Sequence, residues 1–503
     1  MDGFYYAANG RRLIEGHGFT EVVIWQFLDQ PTSLPTPSHT YWQPLPSLLA
    51  AAGYGLRADF RGEQLLFWLM SGLLPLLAYF ISKLLSGERW QAWMAALLTA
   101  VGGFYGPFLL QPSPFAPYAW FGAGAVLVLT VASSDRWLSP LPLLVTPRHR
   151  KLGLWGVGGF LAGLAHLTRA DGVLLLVVGT ALWSWLRWTA RQPKEPAAKL
   201  SHLVLFVMAY LAVMGPWLVR NWAVTDQPFS AGAAQGLFLT NYDDLFAYGR
   251  SFSLATYVEW GVTNILLSKL AAFNHGIVTL LAVTGLVFLA PLILYAWVWL
   301  WRRPGSRALL RPLTLYIVVL LLALSVLFTF AAQRGSFFQS SVALWPWAMA
   351  LAPVGLGLVI DRIAARFSHW QPQQAKPRFA ALFVLMALAV SLAVGRFEPL
   401  PGQEPATYRR IDQLLPSGEV VMIGNPPAFH YFTGRPAIAV PNEPLPIVRQ
   451  AAVSFDVGYL VLNEHHPLPL TGLYLGSDPG SGLELMETID STKIYRFVES
   501  AGP

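Results

Sequence analysis

The stretch DGFYYAANGRRLIEGHGF (residues 2–19) stands ahead of a long series of apolar runs and is not itself one of them. Phe4, Ala7, Ala8, Arg11 and Leu13 recur at helical spacing, and Gly16 and Gly18 supply the residues that end a helix. A Pro-rich run follows, and then SHTYWQPLPSLLAAAGYGL (38–56), whose apolar part ends near Leu56 and is too short to cross a bilayer. It is expected to lie along the membrane surface.

Beyond residue 63 the chain becomes a membrane protein. Of 503 residues 54% are hydrophobic and 12% charged, against about 25% charged in a soluble domain. Apolar runs at roughly 64–84, 90–109, 115–133, 152–167, 171–188, 199–219, 275–301, 309–331, 338–361 and 378–395 predict about ten spans. The 20 Trp suit interfacial belts. One alternating set of loops holds eighteen Lys and Arg, and the opposite set holds nine spread over much longer loops. The first set is therefore read as cytoplasmic. The N-terminal stretch, a loop at 220–274 and the tail from 396 are read as extracytoplasmic. A net charge of +7 does not point to nucleic acid, because the basic residues sit in these short loops. Without Cys there are no disulfides, thiolate nucleophiles or Cys metal sites.

The tail changes character. Val420–Gly424, Ala437–Val440 and Gly458–Leu462 read as strands, with short helices at Pro427–Tyr431 and Pro446–Val453 between them. Leu483–Ile489 and Lys493–Val498 read as a hairpin. This predicts a small α/β domain. The expected division is a first loop with jaw helices (1–63), a transmembrane domain (64–395) and a soluble extracytoplasmic domain (396–503).

The opening stretch resembles the first extracytoplasmic loop of the GT-C glycosyltransferases, the branch that includes protein O-mannosyltransferases and aminoarabinose transferases. Asp2, Tyr5, Tyr6, Ala8, Leu13, Gly16, Gly18 and Phe19 match in order. LTRADG (167–172), PWLVRN (216–221) and RGSFFQS (334–340) also resemble phrases of that family. The resemblance implies a cell-membrane, multi-pass enzyme of the cell envelope. It would transfer a sugar from a polyprenyl-phosphate donor to a lipid, glycan or protein acceptor. It implies Asp2 as catalytic base, and a membrane helix ahead of Asp2 that this chain lacks.

The basic residues of those phrases each have two readings. Arg169, Arg220 and Arg334 offer planar forks for the donor phosphate. Alternatively, Arg169 forms a turn with Asp171, Arg220 snorkels to the interface, and Arg334 anchors a helix end. Tyr5, Tyr6, His39, Trp42, Asn221, Asp243 and Asp244 are candidates for substrate contact. Trp42 is equally an interfacial anchor. Asp243 and Asp244 could hold a divalent cation if they converge; no other cofactor is implied. LQPSPFAP (110–117), where relatives carry a second acidic residue, has none; Ser113 is the nearest polar group. Two other classes compete with an enzyme: a lipid-linked-sugar transporter or flippase, and a non-catalytic relative. Scarce charge within the later spans argues against transport.

Overall fold

A computed structural model describes residues 2–134, 147–189, 198–397, 404–478 and 480–498. Arg136, Arg191 and Lys194 of the basic loops lie outside them. Helix α1 (Asp2–Ile14) occupies the opening stretch and ends before Gly16 and Gly18, both in the left-handed region. Helix α2 (Leu45–Leu56) is the short apolar helix expected there. Helix α3 (Phe60–Ser86) starts where the Asp59 carboxylate accepts from Gly62 N at 2.8 Å, a side-chain cap. α2 and α3 cross tightly: a Cβ at Gly53 would stand 2.2 Å from the Gly62 carbonyl oxygen.

Nine helices among the described residues are long and apolar enough to cross a membrane. A further helix, Pro147–Thr168, packs between Phe115–Ser133 and Leu200–Thr225 and occupies the span expected at 152–167. The chain is thus a polytopic helical membrane protein with a small C-terminal sheet.

The later spans differ in detail. The one expected at 275–301 begins instead at Val262 and breaks after Thr284. The chain then passes through left-handed Leu286 and Val287 before Ala290–Arg302 resumes. Hydropathy cannot register that break, because its residues are apolar. The outer loop expected at 220–274 is shorter too. Helix Leu200–Thr225 carries Arg220 and Asn221 on its last turns, and the next long helix starts at Val262.

The C-terminal elements fall where alternation placed them. β4 (Val420–Ile423), β5 (Ala437–Ala439) and β6 (Val457–Leu462) are parallel, and β7 (Leu483–Ile489) and β8 (Thr492–Phe497) form the hairpin. Successive residues face opposite sides of a strand. Met422, Leu460 and Leu462 therefore enter one core, and Val421, Ile423, Tyr459 and Val461 the other.

The first loop joins this sheet. It forms β1 (Thr20–Glu21), β2 (Val23–Ile24) and β3 (Thr36–Pro37). β2 extends the sheet, in the order β2-β5-β4-β6-β8-β7, while β1 and β3 pair with each other. α1 lies against the same unit, with the Phe4 ring 5.0 Å from those of Tyr431 and Phe432.

Glu63, fully buried in the first turn of α3, binds the whole together. It pairs with Arg11 of α1 and accepts the Tyr431 hydroxyl at 2.9 Å. Breaking a buried pair strands a charge, at a cost of about 3–5 kcal/mol. Arg11 retains some solvent exposure, so Glu63→Ala is expected to cost about 3 kcal/mol, the low end of that range. Thermal unfolding of the full chain in detergent measures it; an unchanged melting point would show that the pair contributes nothing.

Candidate functional site

α1 begins at Asp2 and ends among aromatic residues. Asp2 is its first residue, and the Asp2 side chain lies outside the described set. The neighbouring Gly3 lies against the 110–113 loop, where a Cβ would be 3.4 Å from Gln111 Oε1. One turn along, Tyr5 and Tyr6 are buried edge to face, 5.3 Å apart. Tyr5 also packs on Trp42 (5.0 Å) and Trp25 (5.8 Å), and those two indoles lie 4.8 Å apart.

Arg220 reaches in from helix Leu200–Thr225. Its Nη2 donates to the Phe19 carbonyl at 3.0 Å, its Nη1 to Asn221 Oδ1 at 3.1 Å, and its guanidinium lies over the Trp217 ring at 4.7 Å. The interface-snorkelling reading fails here, because the guanidinium turns inward and holds the first loop. Asn221 is buried as its acceptor.

His39, expected to touch substrate, is sealed away. It is 1% exposed, and its two ring nitrogens engage the hydroxyls of Ser38 and Ser47, each at 2.8 Å. Burial, reinforced by the nearby Arg220 charge, lowers its pKa to about 3. It is a neutral strut between the first loop and α2.

Arg169 forms the turn. Its Nε donates to Asp171 at 2.8 Å, and its other nitrogens reach Gln339, the Ser336 carbonyl and Ser340. The LTRADG and RGSFFQS phrases therefore meet in space. Arg169 is also near enough to Tyr6 to interact with it electrostatically. Arg334 stands apart and exposed, 3.7 Å from Asp243 and over the Tyr242 ring.

The paired carboxylates do not converge. Asp244 is buried and accepts from Thr240 N, Thr240 Oγ1 and Asn241 N, while Asp243 turns to Arg334. With their lone pairs committed to different partners they do not fit a shared cation. Among the described residues no group of three or more acidic or His side chains could hold a metal ion.

Two acids of the first loop escaped the sequence reading. Asp29 accepts from Ser230 Oγ (2.5 Å), Gly232 N (2.8 Å), Thr40 Oγ1 (2.7 Å) and Gln26 Nε2 (3.1 Å), and so clamps the 230–232 segment onto the first loop. Glu21 is largely buried and takes a bond from Asn9 Nδ2 at 3.3 Å. Burial raises its pKa to about 8, although bonds from Tyr5 and Asn9 pull the other way. The only local signal was an acid opening an apolar run, Glu21-Val-Val-Ile-Trp25.

No family model matches the chain, and none of the curated proteins matches it in sequence. Solved structures resemble it along its whole length. ArnT from Cupriavidus metallidurans bound to undecaprenyl phosphate is similar at a TM-score of 0.56 and 14% identity, over 100% of this chain and 95% of that one. The Archaeoglobus fulgidus oligosaccharyltransferase in complex with zinc and sulfate is similar at 0.53 and 12%, over 94% of this chain. The chain spans only 65% of that protein's length. The same archaeal protein, AglB, with an inhibitory peptide and a dolichol-phosphate, gives 0.51 at 12%, over 100% and 71% of the two chains. The chain has the GT-C fold, as its first loop led one to expect.

His39 makes the site's integrity sensitive to acid. Unfolded, its imidazole takes a proton below its ordinary pKa of about 6.5; folded, it resists protonation down to about 3. Its contribution is present above 6.5 and is lost as pH falls towards 3. Melting temperatures of the full chain should drop over that window, and His39→Asn should flatten the drop. An equally steep drop in the variant would assign it to other groups.

Proposed function

We propose that this chain is an integral-membrane glycosyltransferase that moves a sugar, with inversion, from a polyprenyl-phosphate donor to an extracytoplasmic lipid, glycan or protein acceptor. The observation that carries the reading is the fold likeness over the entire chain to ArnT, a protein solved with undecaprenyl phosphate. A lipid-linked donor also accounts for the architecture. Its tail stays in the bilayer while its headgroup meets α1 and the first loop, which this reading places on the extracytoplasmic side.

In the reaction Asp2 accepts the proton of the acceptor hydroxyl as that oxygen attacks the anomeric carbon. The bond from that carbon to the phosphate oxygen breaks on the opposite face, and its electron pair leaves with the polyprenyl phosphate. Negative charge grows on the phosphate, and a fixed guanidinium stabilises it there. Arg220 is the first choice for this role: it is prepositioned by Phe19 and Trp217, and no carboxylate is bonded to it directly. Arg169, paired with Asp171, supports the site from the Tyr6 side. Arg334 is exposed and can meet a headgroup as it arrives.

Full-length protein in lipid nanodiscs, given a panel of radiolabelled polyprenyl-phosphate sugars, tests the reading. Asp2→Asn is expected to lower turnover by on the order of 10²–10⁴, the range for a lost general base. Arg220→Lys should retain less than a tenth of the rate, because an ammonium does not reproduce the fork. Full turnover by Asp2→Asn would sink Asp2 as base.

A further inference from the structure

A cavity of about 250 Å³ opens between the first loop and the end of helix Leu200–Thr225. Tyr5, Trp25, Tyr41 and Trp42 wall it, Glu21 and Asp29 contribute carboxyl groups, and Gln26, Thr36, Thr40 and Ser230 add further polar groups. Among the described residues lining it none is Lys, Arg or His. We propose that this cavity is a saccharide subsite that holds one sugar ring on the Trp25–Trp42 platform, with the Glu21 carboxyl bonded to a ring hydroxyl.

Three features of the cavity select that ligand. The first is its mixed wall. A pyranose has an apolar C–H face and a rim of hydroxyls, so it needs an aromatic surface and hydrogen-bonding groups side by side. Trp25 and Trp42, tilted by 33° at 4.8 Å, supply the surface. Glu21, Gln26 and the threonines supply the rim. The second is charge. Two carboxyl groups without a lining cation repel phosphate, so the phosphate end of a donor belongs with Arg220, whose guanidinium turns to Phe19 and Trp217 instead. The third is size. Pockets that enclose drug-sized ligands run to about 300–1,000 Å³, and this smaller one suits a single ring rather than a length of peptide.

The two acids divide the work. Asp29 already has four donors and holds the cavity's shape. Glu21 has fewer partners, and burial keeps its proton on at neutral pH. A protonated carboxyl both donates and accepts, which matches a hydroxyl that does the same. Tyr5 belongs to the cavity and lies one helical turn from Asp2, so a ring bound here would sit beside the proposed base. In that respect the inference rests on the transferase reading, but sugar binding itself does not require turnover.

The test is ligand-observed NMR on the monodisperse full-length protein, using a panel of methyl glycosides. At least one glycoside is expected to bind. Trp42→Ala and Glu21→Gln should each weaken it by about tenfold, the upper range for one aromatic or hydrogen-bond contact. Trp42→Phe, which keeps a ring, should restore most of the affinity and guards against a misfolded alanine variant. Undecaprenyl phosphate should bind wild type and variants alike. If a polyprenyl-phosphate sugar displaces the glycoside, the ring held is the donor's; if both bind together, it is the acceptor's. No glycoside binding by wild type, or binding indifferent to both substitutions, would overturn the subsite. Asp2→Asn should bind glycoside normally, so a failed transferase reading and a failed sugar subsite give different results.

Discussion

A buried carboxylate governs how the parts of this protein meet. Glu63 has no solvent contact and sits at the start of the first membrane-length helix. Taking such a charge out of water costs several kcal/mol unless it is paired and hydrogen-bonded. Its partners come from far along the chain: Arg11 from α1 and Tyr431 from the C-terminal unit. Arg11 adds its face to the Tyr431 ring, 4.0 Å away. The charge is satisfied only when α1, α3 and the C-terminal helix Pro426–Thr433 are all in place. That requirement fixes the rotation of α1, and with it which residues of DGFYYAANGRR face the bundle and which face the sheet.

With α1 fixed, the first loop needs its own fastenings, because so little of it is regular structure. It has three. β2 completes the edge of the C-terminal sheet. The Phe19 carbonyl is held by Arg220. Asp29 gathers Thr40, Gln26 and the 230–232 segment around one carboxylate. An ionised carboxylate offers about four acceptor sites, and Asp29 fills that number, so the loop is tied without leaving a bare charge. The loop and the sheet are therefore one mechanical unit, even though some four hundred residues separate β2 from β5 in sequence.

What the sequence could reveal follows from the range of each signal. Spans and strands are local periodic patterns, and most fell within a few residues of their expected places, as with Val420–Ile423 and Leu483–Ile489. The aromatic cluster of Tyr5, Tyr6 and Trp42 was also visible, because motif order brings those residues forward. The roles of Glu21, Asp29 and Glu63 were not. Each is a lone acid whose meaning lies in partners dozens to hundreds of residues away, and no spacing announces that. The opposite failure befell His39. It is conspicuous in SHTYW, yet two serines occupy its nitrogens and the chain buries it. The break at Leu286 and Val287 stayed hidden for a third reason: a left-handed turn made of apolar residues reads as continuous helix.

The charges around α1 are segregated, and the proposed chemistry gives that segregation a purpose. Guanidinium groups come from the helix ends, as Arg220 and Arg169, while the carboxyl groups of the cavity come from the first loop, as Glu21 and Asp29. A lipid-phosphate sugar has two ends with opposite needs. The phosphate gains negative charge as it leaves and requires fixed cations. The sugar is neutral and needs hydrogen bonds beside an apolar face. A site with mixed charges throughout would bind either end in either orientation. Tyr5 and Tyr6 separate the two regions here, since Tyr5 lies by Glu21 and Tyr6 near Arg169. The tyrosine pair can therefore set the direction in which a donor lies across α1, so that its anomeric carbon comes to the boundary between the cations and the carboxyl groups.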